Sequence, residues 1–443
     1  MAGIGTTARG HVKLLWIWAS SLALWSAQAL GATDGHWPLS LAEAQAIAHE
    51  RNHDLQLARS AIMSARANIE MAGAPPNPNL TVSTSSISSA SRAGGGLWKR
   101  SVDTVMQVAQ LIERGDKREL RREGAQQQAR AVQAQVNDVA RQVRALVAQA
   151  YADLQLAQDK HSAAMDNQRL LAAVLSAAQI RNSAGDIAGA DVERVRVDAL
   201  RAQNEVSVAE GELAQARRAL ALLMGVSDRV EQLQASDAWP ELPTPPPLTG
   251  SALEEVISRR PDVRAALARR EAADAGRRLA QSLRTRDVTL GMQYEHFPQP
   301  GDPHGGNGNS VGFLVQLPLF TRYYFQGEIQ AAEAARTAAH QALLRTRAMA
   351  ESEIGAAGSA LVTAAKRVRR HRDELLVAAE KAASAAEYAY RHGAAGVMDV
   401  LDARRTLRAT RLDALAAQAE LSKAWHAWMA ATDPAPDTPD LSQ

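Results

Sequence analysis

Tyr390-Arg391-His392-Gly393-Ala394-Ala395-Gly396-Val397-Met398-Asp399-Val400-Leu401-Asp402 interrupts an otherwise helical run. Gly393 and Gly396 stop the helix, because glycine takes backbone conformations that other residues avoid. Helix-forming sequence then resumes, so the stretch reads as the tip of a helical hairpin. A second tip lies upstream, from Arg181-Asn182-Ser183-Ala184-Gly185-Asp186 to Asp191-Val192. The two align without a gap: Gly393 lies 208 residues after Gly185, and Asp399-Val400 lies 208 after Asp191-Val192. The same offset pairs Asp54 with Asp262, and Asn79-Leu80-Thr81-Val82 with Asp287-Val288-Thr289-Leu290. The chain reads as a tandem duplication.

Each copy predicts the same parts. Ser40 with Glu43, and Ser251 with Glu254, have the spacing of a capping box at a helix start. The first helix runs toward Ala72, where Pro75-Pro76-Asn77-Pro78 stops it, since proline lacks an amide hydrogen. A strand pair follows, about Asn79 to Ser88 and Ser101 to Leu111, around a glycine-rich loop at Ser91 to Gly96. In the second copy Val288, Leu290, Met292 and Tyr294 alternate with polar residues or glycine. Val311, Phe313, Val315 and Leu317 do the same, which is the period of a strand with two unlike faces. The loop from Phe297 to Asn309 holds three prolines and four glycines and suits neither helix nor strand. Long helices come next, Asp116 to Arg181 and Gln326 to Arg391, each roughly 100 Å if continuous. Val132, Val136, Val139, Val143, Leu146, Ala150 and Leu154 recur at coiled-coil spacing, as do Val206, Ala209, Leu213, Ala216, Leu220 and Leu223 on the return helix. The expected divisions are a signal peptide at 1–29, a first repeat at 30–230, a Pro-rich linker at 231–250, a second repeat at 251–432 and a disordered tail at 433–443.

The 443 residues include only 4% aromatics and no cysteine, so disulfides and thiolate metal sites are excluded. Arg9 and Lys13, the apolar Leu14 to Trp25 and Ala27-Gln28-Ala29 fit a secretory signal. A membrane anchor would need a longer apolar run, roughly 20 residues. Without Arg9 and Lys13 the basic count falls from 50 to 48, equal to the 48 acids. That balance gives no sign of nucleic-acid binding. Past the signal no apolar run is long enough to span a membrane as a helix. A membrane role would therefore require a closed β-barrel, because lipid cannot satisfy an open strand edge. Four strands are too few to close one, since such barrels begin at about eight. Several chains would have to share a barrel.

On these motifs the chain resembles the outer membrane factors, or TolC-like proteins, of tripartite efflux systems. The resemblance covers nearly all of Leu39 to Thr432. It rests on Gly73-Ala74-Pro75-Pro76-Asn77-Pro78-Asn79-Leu80, Gln110-Leu111-Ile112-Glu113-Arg114-Gly115-Asp116-Lys117-Arg118, Leu317-Pro318-Leu319-Phe320, and Tyr390 with Gly393 followed by Asp399-Val400-Leu401-Asp402-Ala403. The Pro-Asn-Pro and Gly-Asp-Lys-Arg stretches look most like the CzcC-like branch, which serves heavy-metal cation efflux. The resemblance implies an α+β membrane protein: long antiparallel coiled-coil helices and four strands per chain, shared in a homotrimeric twelve-stranded barrel. It implies an outer-membrane location with a periplasmic helical extension. It also implies a periplasmic adaptor protein and an inner-membrane RND pump as partners. It places adaptor-docking tips at Gly185, Asp186, Gly393 and Ala394, and a periplasmic gate at Asp399, Asp402, Tyr390 and Asp191. The arginine that closes the gate in some members falls at Ala395 here.

Each site has a plainer alternative. Asp399 and Asp402 share one face of a helix start, where carboxylates commonly cap. In a trimer they would stack as two rings, which attract cations. Tyr390 also suits simple packing, and the two glycines suit a plain turn. His49 and His53, four apart, have zinc-compatible spacing but no third ligand, and a solvated face explains them. His296 and His304 read as surface residues. Arg118, Arg121 and Arg122 read as a solvated face or an anchor near the barrel rim. No nucleophile triad or phosphate loop is present, so no enzyme activity, cofactor or resident metal is expected. The competing readings are a drug or protein-secretion duct and a secreted coiled-coil interaction protein.

Overall fold

The computed structural model describes residues 36–85, 103–239, 241, 248–297 and 308–432. The signal, the Ser91 to Gly96 loop, His304 and the tail lie outside these residues, as do residues 240 and 242–247 of the Pro-rich linker. The first copy runs through β1 (Trp37–Leu39), α1 (Leu41–Arg51), α2 (His53–Gly73), β2 (Asn79–Ser85), β3 (Asp103–Ile112), α3 (Lys117–Ser183) and α4 (Gly189–Met224). A short bridge, β4 (Leu233–Ala235), leads to the second copy. That comprises α5 (Ser251–Arg259), α6 (Pro261–Ser282), β5 (Val288–His296), β6 (Asn309–Gln316), α7 (Gln326–Arg370), a π-turn (His371–Leu375), α8 (Leu376–Arg391) and α9 (Val397–Thr432).

The first helix of each copy is two helices. Asn52 and Arg260, again 208 apart, leave the helical region at ψ 127° and 135° and break it. The Ser40–Glu43 capping box forms, with both reciprocal bonds present. The Ser251–Glu254 box does not: Gly250, at φ 59°, takes the cap position and makes no side-chain bond. Glu254 instead pairs with Arg347 on α7.

Buried stripes hold the helices together. Val136, Val143, Val147, Ala150 and Leu154 are buried on α3. Leu146 is half exposed, so Val147 fills the place expected of it. On α7 and onward the matching stripe is Leu343, Ala350, Ile354, Ala357 and Leu361, an offset of 207. At the tips the offset is 208. The π-turn lies between, and a π-turn accommodates one extra residue within a helix.

At mid-height, β1 and β4 pair in parallel, and α3 clamps them. Tyr151 Oη donates to Leu39 O at 2.8 Å and accepts from the amides of Ser236 and Asp237 at 3.2 Å. Burial, chiefly, pushes its phenol up to about 12. This bridge was not legible in the sequence, because three residues are too few to show a period.

β2, β3, β5 and β6 form one antiparallel sheet in that order. The register lines up Leu80, Val108, Met292 and Phe313 in one row, and Val82, Met106, Tyr294 and Val311 in the next. The opposite face carries Thr81, Gln107, Gln293 and Gly312, then Ser83, Val105, Glu295 and Ser310. One face is thus apolar and the other mostly polar. Both are open, with Phe313 85% exposed. The outer edges of β2 and β6 pair with nothing among the described residues.

Candidate functional site

The candidate residues fall in two regions, the sheet and the tips. At the sheet's inner end, the Gly115–Lys117 turn locks one copy to the other. Gly115 and Asp116 take left-handed φ of 75° and 56°. A Cβ on Gly115 would stand 2.8 Å from the Thr285 side chain. The turn buries Lys117, whose Nζ donates to Asp287 Oδ1 at 2.7 Å and Thr285 O at 2.8 Å. Arg121 makes two bonds to Glu113, at 2.6 and 2.7 Å, and Arg118 Nε donates to Gly73 O. Of the expected solvated arginines, Arg118 and Arg122 are exposed and Arg121 is half-buried; Arg122 lies 4.0 Å from Glu119.

The two tips share one hydrogen-bond pattern. Gly185 (φ 83°) and Gly393 (φ 70°) end their helices in the left-handed conformation that favours glycine. Asp186 N donates to Arg181 O at 2.9 Å, and Ala394 N to Ala389 O at 2.8 Å. Nothing lies within 4 Å of where a Cβ would stand on either glycine, so the tips are open to solvent.

The structure places the gate candidates as follows. Asp399 Oδ2 accepts from Gly396 N at 2.9 Å, so within one chain it caps α9. Asp402 accepts from Arg405 Nη1 at 2.8 Å. Tyr390 Oη accepts from Arg181 Nη1 at 2.5 Å. Asp191 accepts from Arg194 at 3.2 Å, so Tyr390 and Asp191 do not meet within the chain. Asp399 and Asp402 are both exposed.

Arg405 is the residue that sequence reasoning missed. Its Nη2 reaches from α9 to Asp198 Oδ2 on α4, at 2.5 Å, while Nη1 holds Asp402. The Asp198 bond is the main reason its guanidinium pKa is raised. One turn further, Arg408 pairs with Glu205 of α4 at 2.5 Å, and Arg404 with Glu387. A cavity of 320 Å³ lies behind these pairs, walled by Leu170, Leu171 and Leu401. The spacing of Arg405 from Asp402, three residues, puts the two on one face, but no local spacing signals the reach to Asp198.

Similar pairs run along the whole seam between α3 and the second copy. Arg278 meets Glu123 at 2.5 Å and Arg269 meets Gln135 at 2.6 Å. Arg141 reaches Ala430 O at 2.7 Å and Lys423 meets Asp153 at 2.6 Å.

Among the described residues, no group of three or more His, Asp or Glu is placed to hold a metal, and no helix is long and apolar enough to cross a membrane. His49 and His53 fall on separate helices, α1 and α2, and His49 contacts Arg59 at 2.8 Å. Burial, first, and the Arg59 charge lower its pKa. His296 contacts Asn309 Oδ1 at 2.6 Å.

The family model described as outer membrane efflux protein matches residues 46–226 and 252–432, one segment in each copy. The chain belongs to this family. It is an outer-membrane efflux channel with a periplasmic helical domain, and not an enzyme. It is 26% identical over 371 residues to the cobalt-zinc-cadmium resistance protein CzcC of Cupriavidus metallidurans, covering 83% of this chain and 84% of that one. It is 26% identical over 257 residues to the pyoverdine export outer membrane protein OpmQ of Pseudomonas putida, covering 54% of this chain and 51% of that one. Its fold matches the crystal structure of CusC with a TM-score of 0.75 at 20% identity, over 92% of this chain and 95% of the other.

Proposed function

We propose that three copies of this outer membrane efflux protein form one duct that exports heavy-metal cations. One observation carries the assembly: the sheet has an apolar face, a polar face and two bare edges. Lipid leaves no bare edge tolerable. Joining β6 of each copy to β2 of the next closes twelve strands, with the apolar rows toward lipid and Glu295 with Gln293 toward the lumen. The helices continue the duct into the periplasm, where the tips at Gly185, Asp186, Gly393 and Ala394 meet a periplasmic adaptor joined to an inner-membrane RND pump. The near-full-length likeness to CzcC supports a metal cargo. The partial likeness to OpmQ supports a second reading, export of a small organic molecule. Growth of a deletion strain on zinc, cobalt and cadmium, set beside a drug panel, separates them: sensitivity to drugs alone sinks the metal reading.

Asp399 and Asp402 form the gate in this reading, each repeated three times around the axis. Carboxylate rings favour cations and exclude anions. In planar bilayers, the double change Asp399→Ala with Asp402→Ala raises single-channel conductance and lowers cation selectivity. Unchanged values of both would remove the gate from these residues.

A further inference from the structure

The two copies fill one position differently, where the short first helix packs on the long one. In the second copy, Glu254 on α5 pairs with Arg347 on α7, and Leu253 and Ile257 belong to the apolar cluster there. Offsets of 208 along the short helix and 207 along the long one carry these residues to the first copy. Glu254 and Arg347 become Ala46 and Ala140, while Leu253 and Ile257 become Gln45 and His49. Two long side chains are thus cut to methyl groups. A cleft of 310 Å³ lies here in the first copy, lined by Gln45, Ala46, His49, Glu50, Ala140 and Arg144, among others. That volume stands at the lower end for small-molecule pockets.

The cleft is short of negative charge. Arg144 on α3 and Arg59 on α2 are both half-buried, and neither pairs with a carboxylate among the described residues. Arg59 Nη2 lies 2.8 Å from His49 Nε2. A guanidinium only donates, so that ring nitrogen accepts and the imidazole is neutral. The charge on Arg59 is therefore left uncompensated. Burial, first, and then the Arg59 and Arg144 charges lower the His49 pKa, while Glu50 pulls it the other way by less. The local field is positive despite that carboxylate. A charge drawn partly out of water is stabilised by an anion in contact with it. A second cavity, of 210 Å³, shares Gln45 and Arg144 with the first and is walled by Trp425, Met429 and Ala145. A group held on Arg144 thus has an aromatic and apolar wall within reach.

We infer that the cleft between α1, α3 and α9 binds a small organic monocarboxylate with an aromatic or apolar body. Its carboxylate sits on Arg144 and supplies the negative charge that Glu254 supplies in the second copy. Its body lies against Trp425 and Met429. Every residue of this site belongs to one chain, so the site stands apart from the trimer and cargo readings.

Benzoate and its neutral analogue benzamide serve as probes, titrated into the full chain in a neutral maltoside detergent and followed by saturation-transfer NMR. Benzoate binds saturably, and benzamide about tenfold more weakly, because it brings no charge to Arg144. Arg144→Gln weakens benzoate binding about tenfold, the loss of one charge-assisted contact. Ala46→Glu puts the side chain of the second copy into the cleft and abolishes binding. Circular dichroism checks that each variant keeps its helices, and should Ala46→Glu lose them, Arg144→Gln decides. No saturable benzoate signal from the wild type, equal affinity for benzamide, or benzoate affinity unchanged in either folded variant overturns the site. Native mass and channel conductance bear on the trimer and its cargo and leave this result untouched.

Discussion

Asn52 and Arg260 break their helices at the same point of the two copies, yet they do so with different chemistry. Asn52 Nδ2 donates to Leu223 O at 2.8 Å, and its Oδ1 accepts from Leu55 N at 3.0 Å. Arg260 Nη1 reaches Ala431 O at 3.4 Å. Leu223 and Ala431 are themselves 208 apart, so the two side chains serve the same carbonyl near the end of the return helix. The amide needs nothing more. The guanidinium, 2% exposed, brings a buried charge, and two carboxylates answer it: Asp262 at 2.7 Å and Glu353 at 2.6 Å. The duplicated architecture has kept the break and the carbonyl it satisfies, while the donor has been free to change.

If that comparison is right, the charged junction is the more fragile one. Arg260→Met strands Asp262 without its partner and costs on the order of 3–5 kcal/mol, the range for breaking a buried pair, read from the denaturant midpoint of the purified protein. A loss below about 1 kcal/mol, no more than an exposed pair would give, ends the contrast. Asn52→Ala costs less, about 1–3 kcal/mol, because it loses a cap and leaves one carbonyl unpaired.

The smallest effect is on pH. Burial raises the Asp262 pKa, but the Arg260 hydrogen bond and charge outweigh it and leave it lowered. A carboxyl lowered by folding adds stability above its unfolded pKa, and that stability is lost as pH falls through the folded value. Acidification below about pH 4 therefore weakens the wild type more than it weakens Arg260→Met. Parallel melting curves for the two proteins would contradict this assignment.

Much of the fold was legible because its signals are periodic. Alternation along Val288 to Tyr294 and Val311 to Val315 located two strands, and Gly185 and Gly393 located the tips. The helix breaks were not read, although one was signalled: Arg260 precedes Pro261, and a residue before proline is pushed out of the helical region. Carrying that signal back 208 residues would have found Asn52, which has no proline of its own. The Ser251–Glu254 pair misled because Gly250 can take a positive φ and supply the cap position with backbone alone. The site was less legible than the fold. Asp399 was visible as a carboxylate at a helix start, but the bond from Arg405 to Asp198 joins positions 207 apart in sequence. No local spacing shows which arginine of Arg404, Arg405 and Arg408 makes such a reach.

The bare edges of β2 and β6 also bear on how the protein is made. A helical body with buried stripes of its own can form in water, one copy at a time. The sheet is different, since each unpaired amide or carbonyl costs several kcal/mol in hydrocarbon. If copies share one barrel as proposed, a solitary copy has no tolerable way into the bilayer, and encounter between copies comes before insertion. Biogenesis then depends steeply on how many newly exported copies share the same small volume, and the waiting monomer must be shielded from pairing its edges with the wrong strand.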